Sequence, residues 1–186
     1  MTEKVKVSSP SIFKLLHPMH TVLVTSIGKS GNADIITLAW AMPTSIDPPL
    51  VAVSIRPRRH SHSLILETKE FVVNIPTMDI LNETYFCGSV SGRDHDKFKE
   101  SGLTAIQAKM VKPPIIKECV AHLECKLHSK LQTGDHTVLV GEVVEAYADR
   151  DAFKREYDLE KAKMIFHVGA DKFATLQPES SKPGRL

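Results

Sequence analysis

Short β-branched runs alternate with polar interruptions along the chain, and the runs come in pairs. TVLVTSI at 21–27 is the first, and its composition predicts a strand. GKSGN at 28–32 predicts a turn and ADIITLAW at 33–40 the returning strand. LVAVSIR at 50–56 predicts a third strand and FVVNI at 71–75 a fourth, stopped by Pro76. The longest signal is AHLECKLHSKL at 121–131. There Leu123, Cys125, Leu127 and Leu131 point one way, and His122, Glu124, Lys126, His128 and Lys130 the other. TGD at 133–135 is a tight turn, and HTVLVGEVVEAYA at 136–148 returns antiparallel. Weaker strand signals fall at 103–107, after the KPP turn within 112–116, and at 164–168 and 172–176 around Gly169.

Helical patterns are short. They cover 62–70, 78–86 and 94–102, where Asp94 can cap and Gly102 can end the helix, and a polar stretch at 150–163. Antiparallel turns outnumber strand–helix–strand crossovers. The expected fold is therefore mainly β with inserted helices, a closed or nearly closed β-barrel. A length of 186 residues suits a single domain spanning 1–186, with its core at about 15–176 and a polar, loose tail at 177–186.

Composition narrows the function classes. An apolar fraction of 42% and a charged fraction of 25% describe an ordinary globular chain. The formal net charge of +2 is too small to argue for nucleic acid or a membrane surface. No run is long and apolar enough for a transmembrane helix, and the N-terminus lacks a signal-peptide pattern. A cytoplasmic location is the expectation. Three cysteines at irregular spacing form no disulfide framework. Cys119 and Cys125 fit small core residues, and Cys87 is a core residue or lies nearer a site.

Several motifs fail on inspection. Gly28-Lys29-Ser30 resembles the end of a P-loop, but Leu23 stands where the partner glycine belongs. Neither a Rossmann G-x-G-x-x-G nor a G-x-S-x-G elbow occurs. His122-x-x-Cys125-x-x-His128 fails as a metal site, because Cys125 points away and the histidines would stand about 20 Å apart on a strand. Pro18 puts His17 and His20 in a turn, with surface or capping roles. No metal is expected.

The stretch from Asn32 to Ser63 carries the chemistry. Its first polar crossing offers Thr44 and Ser45 beside Asp47-Pro48-Pro49, and its second offers Arg56, Arg58, Arg59, His60, Ser61, His62 and Ser63. Hydroxyls, backbone N–H groups and guanidinium groups together suit a phosphate monoester. Each also has a plainer reading: Thr44 and Ser45 as turn residues, the arginines as surface charge, Trp40 as a core aromatic.

In order along the chain, P-T-S-I-D-P-P-L-V-A-V-S-I-R at 43–56, E-T-K-E-F-V-V-N-I-P at 67–76, D-x-D-K-F at 94–98, E-C-K-L at 124–127 and G-D-H-x-x-x-x-G-E-V at 134–143 resemble the flavin reductase-like family, which includes the flavoredoxins. The likeness spans about residues 15–176. It implies an FMN-binding split β-barrel, usually a homodimer with flavin near the subunit interface. It further implies that Trp40, Met42, Thr44 and Ser45 meet the flavin ring and ribityl chain, and that Arg56, Arg59, Ser61 and His62 hold the phosphate. Lys97 of the D-K-F motif and His136 of the G-D-H turn would approach the isoalloxazine as the catalytic pair, with Phe166 a late aromatic beside it. Asp34 stands where asparagine is common, and a carboxylate there would disfavour an anionic reduced ring, so no contact is assigned to it.

In this reading the flavin carries the chemistry, and a cation at Lys97 would stabilise its reduced anion. The plainer alternatives are a solvated helical lysine at 97 and a turn histidine at 136. The implied activity is NAD(P)H:flavin oxidoreduction, with electrons passing to free flavin, ferric complexes or a partner protein. An FMN electron carrier that does not oxidise nicotinamide, and a split-barrel binding protein with no redox role, stay open.

Overall fold

The computed structural model describes residues 2–184. A 3-10 helix, Ser9–Leu16, leads into a two-residue strand, β1 (Met19–His20). β2 (Val22–Ile27) and β3 (Ala33–Leu38) form the expected hairpin. The chain then departs from expectation. Instead of a polar crossing at 44–49, Ala41–Ser45 forms a further strand, β4, paired with β5 (Leu50–Ile55). The sequence masks it because Pro43 interrupts the run, yet an edge strand needs N–H groups on one side only.

α1 (His60–Thr68) follows and ends at Lys69, in the left-handed region at φ 63°. Next come β6 (Glu70–Ile75), α2 (Leu81–Ser89) and α3 (Lys97–Ser101). The helix expected at 94–102 is this shorter α3. Its cap is Asp96 rather than Asp94, since the Asp96 carboxylate accepts the Lys99 N–H at 3.2 Å. β7 (Ala105–Ile106) and β8 (Ile115–Ile116) pair with each other. The long strands β9 (Ala121–Thr133) and β10 (His136–Ala148) form the main hairpin. No helix forms at 150–163. That segment folds through turns, with Phe153 bridged to Tyr157. β11 (Phe166–Gly169) and β12 (Lys172–Ala174) pair last, and β1 joins β11.

Seven strands form one antiparallel sheet in the order β3-β2-β6-β9-β10-β5-β4. Its ends do not pair, so the barrel is split rather than closed. Inside it pack Val22, Val24, Val53, Ile55, Phe71, Val73 and Leu139. Alternate residues of the same strands serve a second core: Leu23 and Ile35 pack with Ile80, Cys87, Leu103 and Ile116. Burial on both faces explains why Val22, Leu23 and Val24 of β2 are apolar in succession, where a one-sided strand would alternate.

The first part of β9's polar face, at His122 and Glu124, is also covered, while Lys126, His128 and Lys130 stay exposed. The insert at 103–120 lies over it, and Glu124 is fully buried there. Its carboxylate accepts the N–H groups of Lys109 (2.8 Å) and Met110 (2.6 Å) and the hydroxyl of Tyr147 (2.9 Å). Burial alone would raise the Glu124 carboxyl, but these donors outweigh it and hold it below the usual range. Asn74 of β6 bonds to three elements: its amide nitrogen lies 3.1 Å from Leu23 O, and its oxygen 3.0 Å from Ile116 N and 2.8 Å from His122 Nδ1.

Candidate functional site

Two hollows with a shared border form a trough. Its wide end is a cavity of about 430 Å³. The narrow end is a polar chamber of about 150 Å³. Arg59 and Gly88 border both, so the two adjoin.

Aromatic rings wall the wide end. Trp40, between β3 and β4, inclines over His136 at the start of β10, with centroids 4.7 Å apart. Phe13, from the N-terminal helix, meets Trp40 edge-on at 5.8 Å. Tyr85, His167 and Phe173 also line it. His17 is not the surface residue its turn suggests: it lines this cavity, and its Nδ1 donates to His167 O at 3.0 Å. His20 packs on Phe166, with ring centroids 5.5 Å apart.

The narrow end gathers charge. Arg58, Arg59, His60 and Ser61 come from the start of α1, Ser91 and Gly92 from the segment after α2, Asp34 from β3 and Lys97 from α3. A helix start leaves its first N–H groups without carbonyl partners. Here Arg59 N–H reaches Arg56 O and His62 N–H reaches Arg59 O. Among the described residues, those of His60 and Ser61 have none.

Of the residues singled out from sequence, the fold brings Trp40, Arg56, Arg59, Ser61, Lys97 and His136 to this trough. It does not bring Met42, Thr44 or Ser45, which lie along the edge strand β4, with Met42 62% exposed. His62 is buried in the wrong direction for a phosphate, with its Nε2 3.0 Å from Thr137 Oγ1. Phe166 packs against His20 and the barrel core, while its neighbour His167 takes the place in the wall.

Two further roles change. Arg56 reaches the trough, but its guanidinium is tied to Asp135 at 2.8 Å, and Asp135 lies 2.6 Å from His136 Nδ1. Lys97 is not a free cation at an open ring site. It is 4% exposed, donates to Ile35 O at 2.6 Å and Cys87 O at 2.9 Å, and lies 3.3 Å from Asp34 Oδ1. Asp34, set aside as a contact, is its buried counter-charge. Sequence reasoning missed Phe13, His17, Tyr85, His167 and Phe173. They converge from four separate segments, and no local motif marks them.

An aromatic chamber joined to a cationic one fits a planar ring system carrying an anionic tail, a phosphorylated flavin among them. The comparisons with known proteins agree. The domain family described as "Flavin reductase like domain" matches residues 15–176. An uncharacterised protein of Archaeoglobus fulgidus is 37% identical over 174 residues, covering 93% of this chain and 97% of its own. A flavin reductase (NADH) of Kitasatospora aureofaciens is 32% identical over 128 residues, 68% of this chain and 64% of that protein. The structure of a flavoredoxin from Methanosarcina acetivorans superposes with a TM-score of 0.87 at 25% identity, covering 97% of this chain and 95% of the other.

Proposed function

The chain belongs to the flavin reductase-like domain family, and on that premise we propose that it binds FMN in the trough and passes electrons from NAD(P)H through it. The observation that carries the reading is the adjacency of the two ends: the cavity walled by Trp40, Tyr85 and Phe173 shares Arg59 and Gly88 with the chamber at the start of α1. Bound FMN would supply hydride and electron transfer. The protein's part is to bind and orient. Trp40 and His136 would flank the ring, and Arg59, Arg58 and the N–H groups of His60 and Ser61 would hold the phosphate. None of the side chains lining the trough is an activated nucleophile: the Cys87 thiol is buried and pushed up to about 11 by that burial. That suits chemistry without a covalent bond to protein.

The reading extends to free flavin, a ferric complex or a partner protein as electron acceptor, and to a cytoplasmic place, which the buried free cysteines favour. It also includes a homodimer. Supporting this, one sheet face aligns Met42, Ala52 and Val140 in one row and Ser54, Val138 and Leu131 in the next, with Met42 and Leu131 well exposed.

The test is direct. Purified protein mixed with FMN should show a perturbed 450 nm band, and NADH or NADPH should then be consumed at 340 nm. Flavin uptake without nicotinamide oxidation would leave an electron carrier reduced by another protein. No uptake of FMN at all would refute the proposal.

A further inference from the structure

Four elements converge on one buried carboxylate beneath the narrow chamber. Asp34 of β3 is 3% exposed, Ser61 of α1 1% and Lys97 of α3 4%. The Ser61 hydroxyl donates to Asp34 Oδ2 at 2.5 Å. Lys97 Nζ stands 3.3 Å from the other oxygen, Oδ1, which has no hydrogen-bond partner among the described residues. The fourth element is the segment after α2: Gly92 lies so close that a Cβ there would run into the Asp34 carboxylate.

A serine hydroxyl has one proton to give, and Ser61 gives it to Asp34. Ser61 therefore has no proton left for a phosphate oxygen. An isolated carboxylate here would repel an anionic tail. Lys97 removes that objection by cancelling its charge, and the pair together is neutral. What remains is a short, charge-assisted tether from β3 to the second residue of α1.

We propose that Asp34, with its charge balanced by Lys97, is a positioning residue: acting through the Ser61 hydroxyl, it fixes the start of α1 so that the chamber meets a phosphate with Arg58, Arg59 and backbone N–H groups. This rests on the FMN reading and adds to it. Discrimination between FMN and unphosphorylated riboflavin depends on a residue that touches neither. Ser61 serves as part of the anchor, not as a ligand.

Affinities for FMN and for riboflavin, measured by quenching of flavin fluorescence, test this. Ser61→Ala should lower the FMN-over-riboflavin preference about tenfold, with the fold checked by circular dichroism. Ser61→Thr, which keeps the hydroxyl, should restore it. Asp34→Ala alone would strand Lys97, so the neutral pair is removed together, as Asp34→Ala with Lys97→Met. That pair variant and Ser61→Ala should each reduce the preference, and all three changes together no further than either. Additive losses would mean that Ser61 meets the phosphate itself and would overturn the proposal, as would an unchanged preference in Ser61→Ala. Wild-type protein that binds no FMN would instead bring down the functional reading beneath it.

Discussion

The Trp40 indole and the His136 imidazole lie 4.7 Å apart with planes inclined by 37°, so the end of one hairpin and the turn of another meet at the same edge of the trough. Trp40 is the sole tryptophan, which makes its emission a reporter of this place alone. Saturating FMN should quench most of it. Trp40→Ala should weaken FMN binding by about 0.5–1.5 kcal/mol, the worth of an aromatic pair beyond its buried area. Emission indifferent to FMN would put the flavin elsewhere.

The two arginines should separate. Arg59 borders both ends of the trough and forms no ion pair among the described residues, while Arg56 is held by Asp135 at 2.8 Å. Arg59→Ala should cost about 1.5–3 kcal/mol of FMN affinity, as for a lost hydrogen bond to a charged group. Arg56→Ala should cost less, since its charge is already shared. Isothermal titration of both variants checks the order.

Lys97→Met should act on the fold before it acts on the flavin. It leaves the Asp34 carboxylate buried without its counter-charge, a loss of roughly 3–5 kcal/mol for a broken buried pair. The urea midpoint should fall clearly, whereas Lys99→Met, on the exposed side of the same helix, should leave it in place. Equal midpoints for the two would contradict the buried pairing.

If the apolar sheet face joins two copies, Met42→Glu and Leu131→Glu should each shift the protein from dimer to monomer in sedimentation velocity, without lowering the melting temperature of the monomer. Both side chains are more than half exposed in the single chain, so charge there strains no core. A wild type that sediments as a monomer at micromolar concentration would remove the dimer.

Acid should weaken the fold over two successive pH windows. Burial lowers the His122 imidazole from its ordinary 6.5, and it lowers His20 likewise; for His62 burial acts first and the Lys130 charge adds to it. These groups protonate more readily unfolded, so their contribution is whole above pH 6.5 and drains as pH falls toward the folded values. For Glu124 burial acts the other way, but the N–H donors of Lys109 and Met110 win and hold it below 4.5. Its contribution is whole above pH 4.5 and fades beneath that. Melting temperature followed from pH 8 to 3 should therefore decline in two steps, and His122→Gln should shrink the first.

Much of the fold was legible from period alone. The β2–β3 hairpin stands where its β-branched runs and Gly-containing turn placed it, and β9–β10 where alternation and the TGD turn did, because local chemistry decides a hairpin. β4 was hidden by Pro43, and the helix expected at 150–163 gave way to turns, polarity there being as compatible with a loop. At the site, the basic cluster opening α1 was visible as a cluster. Its division of labour was not. That Ser61 turns inward and Lys97 is spoken for depends on Asp34 lying opposite both, a relation between residues 27 and 63 positions apart that no local window contains. His122 and Glu124, set by alternation on the face opposite Leu123 and Cys125, are likewise claimed by other segments, His122 by Asn74 of β6 and Glu124 by the insert that leads into β9.

The Asn74 amide has a consequence for proton placement. Its oxygen already accepts the Ile116 N–H at 3.0 Å, so it faces His122 as an acceptor too, 2.8 Å away. His122 must then carry hydrogen on Nδ1, and in its neutral form Nε2 is bare. The ring is thereby locked in the rarer of its two tautomers, with a nitrogen-15 signature distinct from that of a freely exchanging imidazole.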